Sequence, residues 1–206
     1  MILEDILNDL TSGDDSLAET AVQSLAQLPE EVQLAAIATL RERLASPEVD
    51  QRWWAARTLA ELPFSLTHNL LMEALEDPDP SVRQCAVLGL RAQIKRTPGW
   101  NPEPRTLEAL LLGLLDGLKD PDPLAARLAA DALMAIGEPA VAQLLELLNK
   151  SDQAVRLLLV RILAGIGDHR AIPALLDALD EDSLLMEYWA NEGLEKMGVG
   201  MTYFFP

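Results

Sequence analysis

Arg57, Arg91, Arg127 and Arg161 are the side chains in this sequence best suited to hold another molecule. The planar guanidinium fork can meet a carboxylate at two points at once. These arginines return once in each of four consecutive segments of a chain that is otherwise strongly acidic, with 16 Lys and Arg against 33 Asp and Glu and a net charge of −17. Trp53, Leu88, Met134, Leu157 and Tyr188 recur beside them and offer apolar contact between the charges. That mixture suits recognition of an anionic, partly apolar partner. Nothing in the sequence assembles a reaction centre, a cofactor site or a metal site. His68 and His169 fall in different segments and neither is followed by Glu, and there is no zinc spacing, phosphate-binding glycine loop or nucleophile elbow. The lone Cys85 excludes an internal disulfide and reads as packed rather than reactive.

A repeat sets the spacing of those arginines. A turn residue, an Arg or its stand-in, Ala three places on, Leu seven places on, then Gly or Pro return six times, with anchors at Ala18, Arg52, Arg83, Ala126, Arg156 and Glu187 and intervals of 34, 31, 43, 30 and 31. A period in the thirties with helical spacing inside it means stacked helix pairs, since one pair cannot bury its apolar stripe alone. The predicted first helices of the pairs lie near 2–11, 30–45, 64–76, 106–119, 139–149 and 169–179. The second helices lie near 15–28, 48–62, 80–95, 123–136, 152–166 and 183–197. Asp79-Pro80 and Asp122-Pro123 supply an N-cap acceptor followed by proline at the first helical position, and Ser46-Pro47 is read in the same way.

On a second helix, at 100° per residue, positions +3, +7 and +10 from the anchor share the core face, and +1, +5 and +8 form the opposite stripe. That stripe holds Trp53, Arg57 and Ala60; Gln84, Leu88 and Arg91; Arg127, Asp131 and Met134; Leu157, Arg161 and Ala164; and Tyr188, Glu192 and Glu195.

Asp77-Pro-Asp-Pro-Ser-Val-Arg83, with spaced Ala86 and Leu90 and the closing Ile136-Gly137 and Ile166-Gly167, resembles the HEAT repeat, and more narrowly the short variety found in phycobilisome bilin lyases. The resemblance covers nearly the whole chain but is strongest from 75 to 198. Pro29 and Pro63 stand where the first two units would close on Gly. It implies an all-α fold, a right-handed α-α superhelix (HEAT-like solenoid) of about six helix pairs spanning 1–198 as one domain. The second helices would line its inner curve, so the stripe becomes a groove. Arg52, Arg83 and Arg156 would form a structural ladder with acids of the preceding turns.

The expected role is then a non-catalytic protein-protein interaction scaffold. Its groove of Trp53, Arg57, Gln84, Leu88, Arg91, Arg127, Asp131, Met134, Leu157, Arg161 and Tyr188 would take an acidic segment or helix of another protein. A blander reading of the same stripe is a solvated face whose arginines pair with local acids such as Asp131. The alternative that the resemblance implies is a phycobilin lyase or lyase-type subunit, holding an open-chain bilin by its propionates.

Two features lie outside the repeat. The long interval places an insertion at 95–106, whose prolines at 98, 102 and 104 forbid a helix and whose Trp100 sits among Lys95, Arg96 and Arg105. Trp100 either tucks against a nearby helix or makes a partner contact. The tail, 199–206, carries Tyr203, Phe204 and Phe205 and is expected to cap the last pair or to anchor a homo- or hetero-dimer through the C-terminal end. A charge of −17 argues against nucleic acid as partner. The absence of a basic leader and of an apolar run near 18 residues argues against a membrane and for a cytoplasmic protein.

Overall fold

The computed structural model describes residues 3–97 and 99–200. Among them are twelve α-helices, three short 3-10 turns and no strand. The helices are α1 (Leu3–Asp9), α2 (Asp15–Ala26), α3 (Glu30–Leu44), α4 (Val49–Glu61), α5 (Phe64–Glu73), α6 (Pro80–Arg96), α7 (Pro104–Gly117), α8 (Pro123–Ile136), α9 (Val141–Leu148), α10 (Gln153–Ile166), α11 (Ile172–Leu179) and α12 (Leu184–Lys196). Each predicted helix is present, with ends displaced by no more than three residues. They form two compact units, 1–113 and 114–206, whose boundary falls within α7.

Local chemistry explains most of the boundaries. Asp79 accepts from the Ser81 amide and Asp122 from the Ala125 amide, with Pro80 and Pro123 at the first helical positions. Asp14, Asp152 and Ser183 cap α2, α10 and α12 in the same manner. Ser46-Pro47 does not cap α4 as expected. The Ser46 hydroxyl accepts from the Glu48 amide, and the Ser46 and Pro47 carbonyls accept from Arg52 Nη1 at 3.0 and 3.2 Å. The turn is therefore held open, and α4 starts two residues later with no side-chain cap.

The C-terminal ends divide into two kinds. Gly137 and Gly167 follow α8 and α10 with φ of 77° and 73°, a region closed to most side chains. After α2 and α4 the chain turns at Pro29 and Pro63, and the bare carbonyls there are satisfied from elsewhere. The buried Gln33 amide of α3 donates to Ala26 and Leu28 at 2.9 and 3.0 Å. The buried Gln93 amide of α6 donates to Leu59 at 2.9 Å and Leu62 at 2.8 Å and also meets Thr67 Oγ1 at 2.8 Å.

In the first unit, α4 packs along α6 and α2 along α4 over a core that includes Leu25, Leu40, Leu59, Leu70 and Leu90. Burying each such leucine contributes about 1.5–3 kcal/mol. Helices α4 and α6 run in the same direction: Arg52, near the start of α4, holds Asp77 just ahead of α6, and Gln93, near the end of α6, reaches the last turn of α4. Their close approach depends on Gly89, where an added Cβ would fall 2.6 Å from Ala60 Cβ. The second unit repeats the device at Gly193 of α12, whose Cβ would fall 2.7 Å from Ala164 Cβ of α10. Its core is built from Leu133, Leu144, Leu159, Leu163 and Leu175.

Candidate functional site

A cleft of about 680 Å³ lies along α4 and α6. From α4 it is lined by Trp53, Arg57, Ala60 and Glu61, and from α6 by Gln84, Cys85, Leu88, Arg91, Ala92, Lys95 and Arg96, among others. All six stripe residues predicted on these two helices, Trp53, Arg57, Ala60, Gln84, Leu88 and Arg91, border this one space. Ala60 is buried beneath Gly89, so the +8 position here is floor rather than open wall.

Four basic side chains and one carboxylate line the cleft, but they are not equally available. Arg57 donates from Nη1 to Glu61 and from Nη2 to Glu19, each at 2.6 Å. Burial lowers the Arg57 pKa, but the hydrogen bonds and charges of Glu61 and Glu19 outweigh it and leave the value raised. Glu61 also binds Arg96, whose second nitrogen donates to the Ala60 carbonyl. Burial pushes the Glu61 carboxyl up, and the two guanidiniums bring it below its ordinary value. Arg91 has no carboxylate partner among the described residues, and its Nε is buried without an acceptor. Lys95 is exposed at the same end. Leu88 is exposed and Trp53 half-buried, so apolar surface borders the free guanidinium. Cys85 is buried in the wall, and burial pushes its thiol up to about 12, where it is neither a nucleophile nor a ready metal ligand.

In the second unit, Arg127 stands exposed on α8. Arg161 is paired: its Nη2 donates to Asp131 at 2.6 Å, and its guanidinium lies 5.7 Å from the Trp189 ring centre. Met134 and Leu157 are half-buried. Tyr188 is exposed, edge-on to Trp189, and its hydrogen bond to Glu192 raises the phenol pKa.

The anchor arginines are structural. Arg52 grips Asp77 through two nitrogens at 2.7 and 3.0 Å. Arg83 donates to the Asp77 and Pro78 carbonyls at 2.8 and 3.1 Å, and Arg156 binds Glu181. The carboxylates gripped by Arg52 and Arg156 belong to the turn of the following repeat, not the preceding one. The preceding turn contributes backbone carbonyls to Arg52 and Arg83 instead. Trp100 packs edge-on against Phe64 of α5, with ring centres 5.8 Å apart, so the inserted loop tucks its indole against a helix. Tyr203, Phe204 and Phe205 lie outside the described residues. Among those described, no three His, Cys, Asp or Glu side chains converge on a metal position, and no single helix is long and apolar enough to cross a membrane.

Paired helices in which an arginine ties one turn to the next, with small residues at the crossings, define a helical-repeat protein of the HEAT type. The HEAT-repeat family model matches residues 37–112 and 111–195, and the chain belongs to that family. Among characterised proteins, it is 38% identical over 101 residues to the phycocyanobilin lyase subunit beta of Pseudanabaena tenuis, covering 48% of this chain and 35% of that protein. It is 36% identical over 91 residues to the phycobilisome maturation protein of Synechococcus elongatus, covering 44% of each. The matched stretches thus span less than half of those relatives. The solved complex of CpcE and CpcF of phycocyanin lyase from Nostoc shares the fold, with a TM-score of 0.50 and 22% identity over 96% of this chain and 77% of that one. Kap95p shares it with a TM-score of 0.66 and 14% identity over 96% of this chain and 30% of that one.

Proposed function

We propose that the chain is a non-catalytic binding module whose α4–α6 cleft receives an anionic, partly apolar segment of a partner protein. Arg91 carries the reading: a guanidinium with a buried, unsatisfied Nε and no carboxylate of its own, set beside Leu88 and Trp53 in a cleft large enough for several side chains. Leaving a buried charged donor unsatisfied costs more than a neutral one, so a carboxylate brought by a partner gains what the free protein forgoes. Names of similar proteins support a protein partner in pigment-protein assembly. The test compares affinity capture from native lysate by wild type, Arg91→Glu and Arg127→Glu, with captured proteins identified by mass. A specific partner lost with Arg91→Glu, at unchanged thermal stability, supports the cleft. Equal capture by wild type and Arg91→Glu overturns it.

A second reading has its own support in the two lyase-system relatives: the cleft holds an open-chain bilin by its propionates, as a lyase-type subunit would. Titration with phycocyanobilin and with its dimethyl ester, followed by absorption, separates the two readings. A red shift with the free acid that is lost with the ester and with Arg91→Glu supports bilin binding. Unchanged spectra leave the protein-segment reading alone.

A further inference from the structure

We infer that the partner segment is dipolar, with a cationic side chain about 18 Å from its carboxylate. This rests on the carboxylate-binding reading of the α4–α6 cleft and adds what must lie at the other end. A second hollow, of about 600 Å³, adjoins the basic cleft and shares Trp53 and Ser81 with it. It lies at the N-terminal ends of α2 and α4 and has the opposite character. Asp15, Glu19 and Asp50 border it, no Lys or Arg does, and Trp53 and Trp54 meet edge-to-face with ring centres 4.8 Å apart. Glu19 is already engaged by Arg57, which leaves Asp15 and Asp50 as exposed carboxylates beside two half-buried indoles. Carboxylates next to aromatic faces are a receptor for Lys or Arg.

The polarity has a simple origin. Acids in the first turns of α2 and α4, and bases in the last turn of α6, each suit the dipole of their own helix. The arrangement Arg52 to Asp77 and Gln93 to Leu62 shows α4 and α6 running the same way, so the ends line up into an acidic hollow and a basic one. Gly89 of α6 lies against Ala60 of α4, so Asp50, ten residues before Ala60, and Arg91, two residues after Gly89, are separated along the parallel helices by about 18 Å. A uniformly acidic partner would lay its remaining charges against Asp15 and Asp50, where like charges repel and fix the wrong register. A segment with a cation at one end and a carboxylate at the other satisfies both hollows.

The test uses the full chain and capped helical peptides that share one Leu/Ala spine. They carry Lys and Glu eleven residues apart, on one face and about 17 Å from each other (in both orders), Glu at both positions, or Lys at both, and binding is followed by fluorescence anisotropy. The expected result is that one Lys/Glu order binds about tenfold or more tighter than Glu/Glu. Asp50→Lys removes that advantage, and Arg91→Glu weakens Lys/Glu and Glu/Glu alike. Equal affinity of wild type for Glu/Glu and Lys/Glu, or a ranking unmoved by Asp50→Lys, overturns the dipolar inference while leaving the carboxylate site standing. No binding by any peptide, or Arg91→Glu without effect on Glu/Glu, overturns both.

Discussion

Glu61 decides how much positive charge the cleft can offer, because it holds Arg57 and Arg96 together. Its depressed pKa means that the stability it contributes is present above the ordinary Glu range and is lost as pH falls through the lower folded value. Glu61→Gln should therefore release Arg96 from its carboxylate and leave Arg57 paired with Glu19 alone. Affinity for a Glu-bearing peptide should rise severalfold by calorimetry, while stability falls by about 0.5–1 kcal/mol in urea unfolding. Cys85 behaves in the opposite sense. Its raised pKa keeps the folded thiol neutral, so stability should fall as pH rises past about 9, where the unfolded thiol ionises. Thermal melts at neutral and high pH, with Cys85→Ala as the control lacking this loss, check the sign. Iodoacetamide should label Cys85 only on unfolding.

At the level of helices, the sequence revealed existence and order well, because strong 3.6-residue periodicity coincides with explicit caps such as Asp79-Pro80 and Asp122-Pro123. Assigning +1 and +5 to one stripe also followed from helical geometry. The pairing of Arg57 was half legible: Glu61 at i+4 could have been read directly, but Glu19 lies 38 residues away on α2, and only the stacking of repeats brings it near. The roles of Gln33 and Gln93 were not legible, since Pro29 and Pro63 announce missing caps without saying what replaces them. Gln93→Leu should cost about 2–4 kcal/mol, because carbonyls left buried without donors lose more than one ordinary hydrogen bond. Gly89→Ala should cost about 1–3 kcal/mol by forcing α4 and α6 apart, and should weaken ligand binding in the same cleft. Urea titrations of both variants, compared with Leu88→Ala on the exposed face, give these magnitudes.

Over the whole chain, an excess of 17 acidic residues makes self-repulsion a general destabilising force, whereas the proposed recognition is a local attraction. Salt should move the two in opposite directions. Raising NaCl from about 20 mM to about 300 mM should increase the melting temperature and weaken binding of a carboxylate-bearing partner, since the screening length shrinks below the span of the cleft. A further consequence concerns synthesis. The amide that completes the end of α2 follows within eight residues of the carbonyls it serves, but the one that completes α4 arrives 31 residues after Leu62. A nascent chain halted before residue 93 thus carries an unfinished fourth helix, and protease nicking of ribosome-bound intermediates near Leu62 should cease only once the sixth helix has been made.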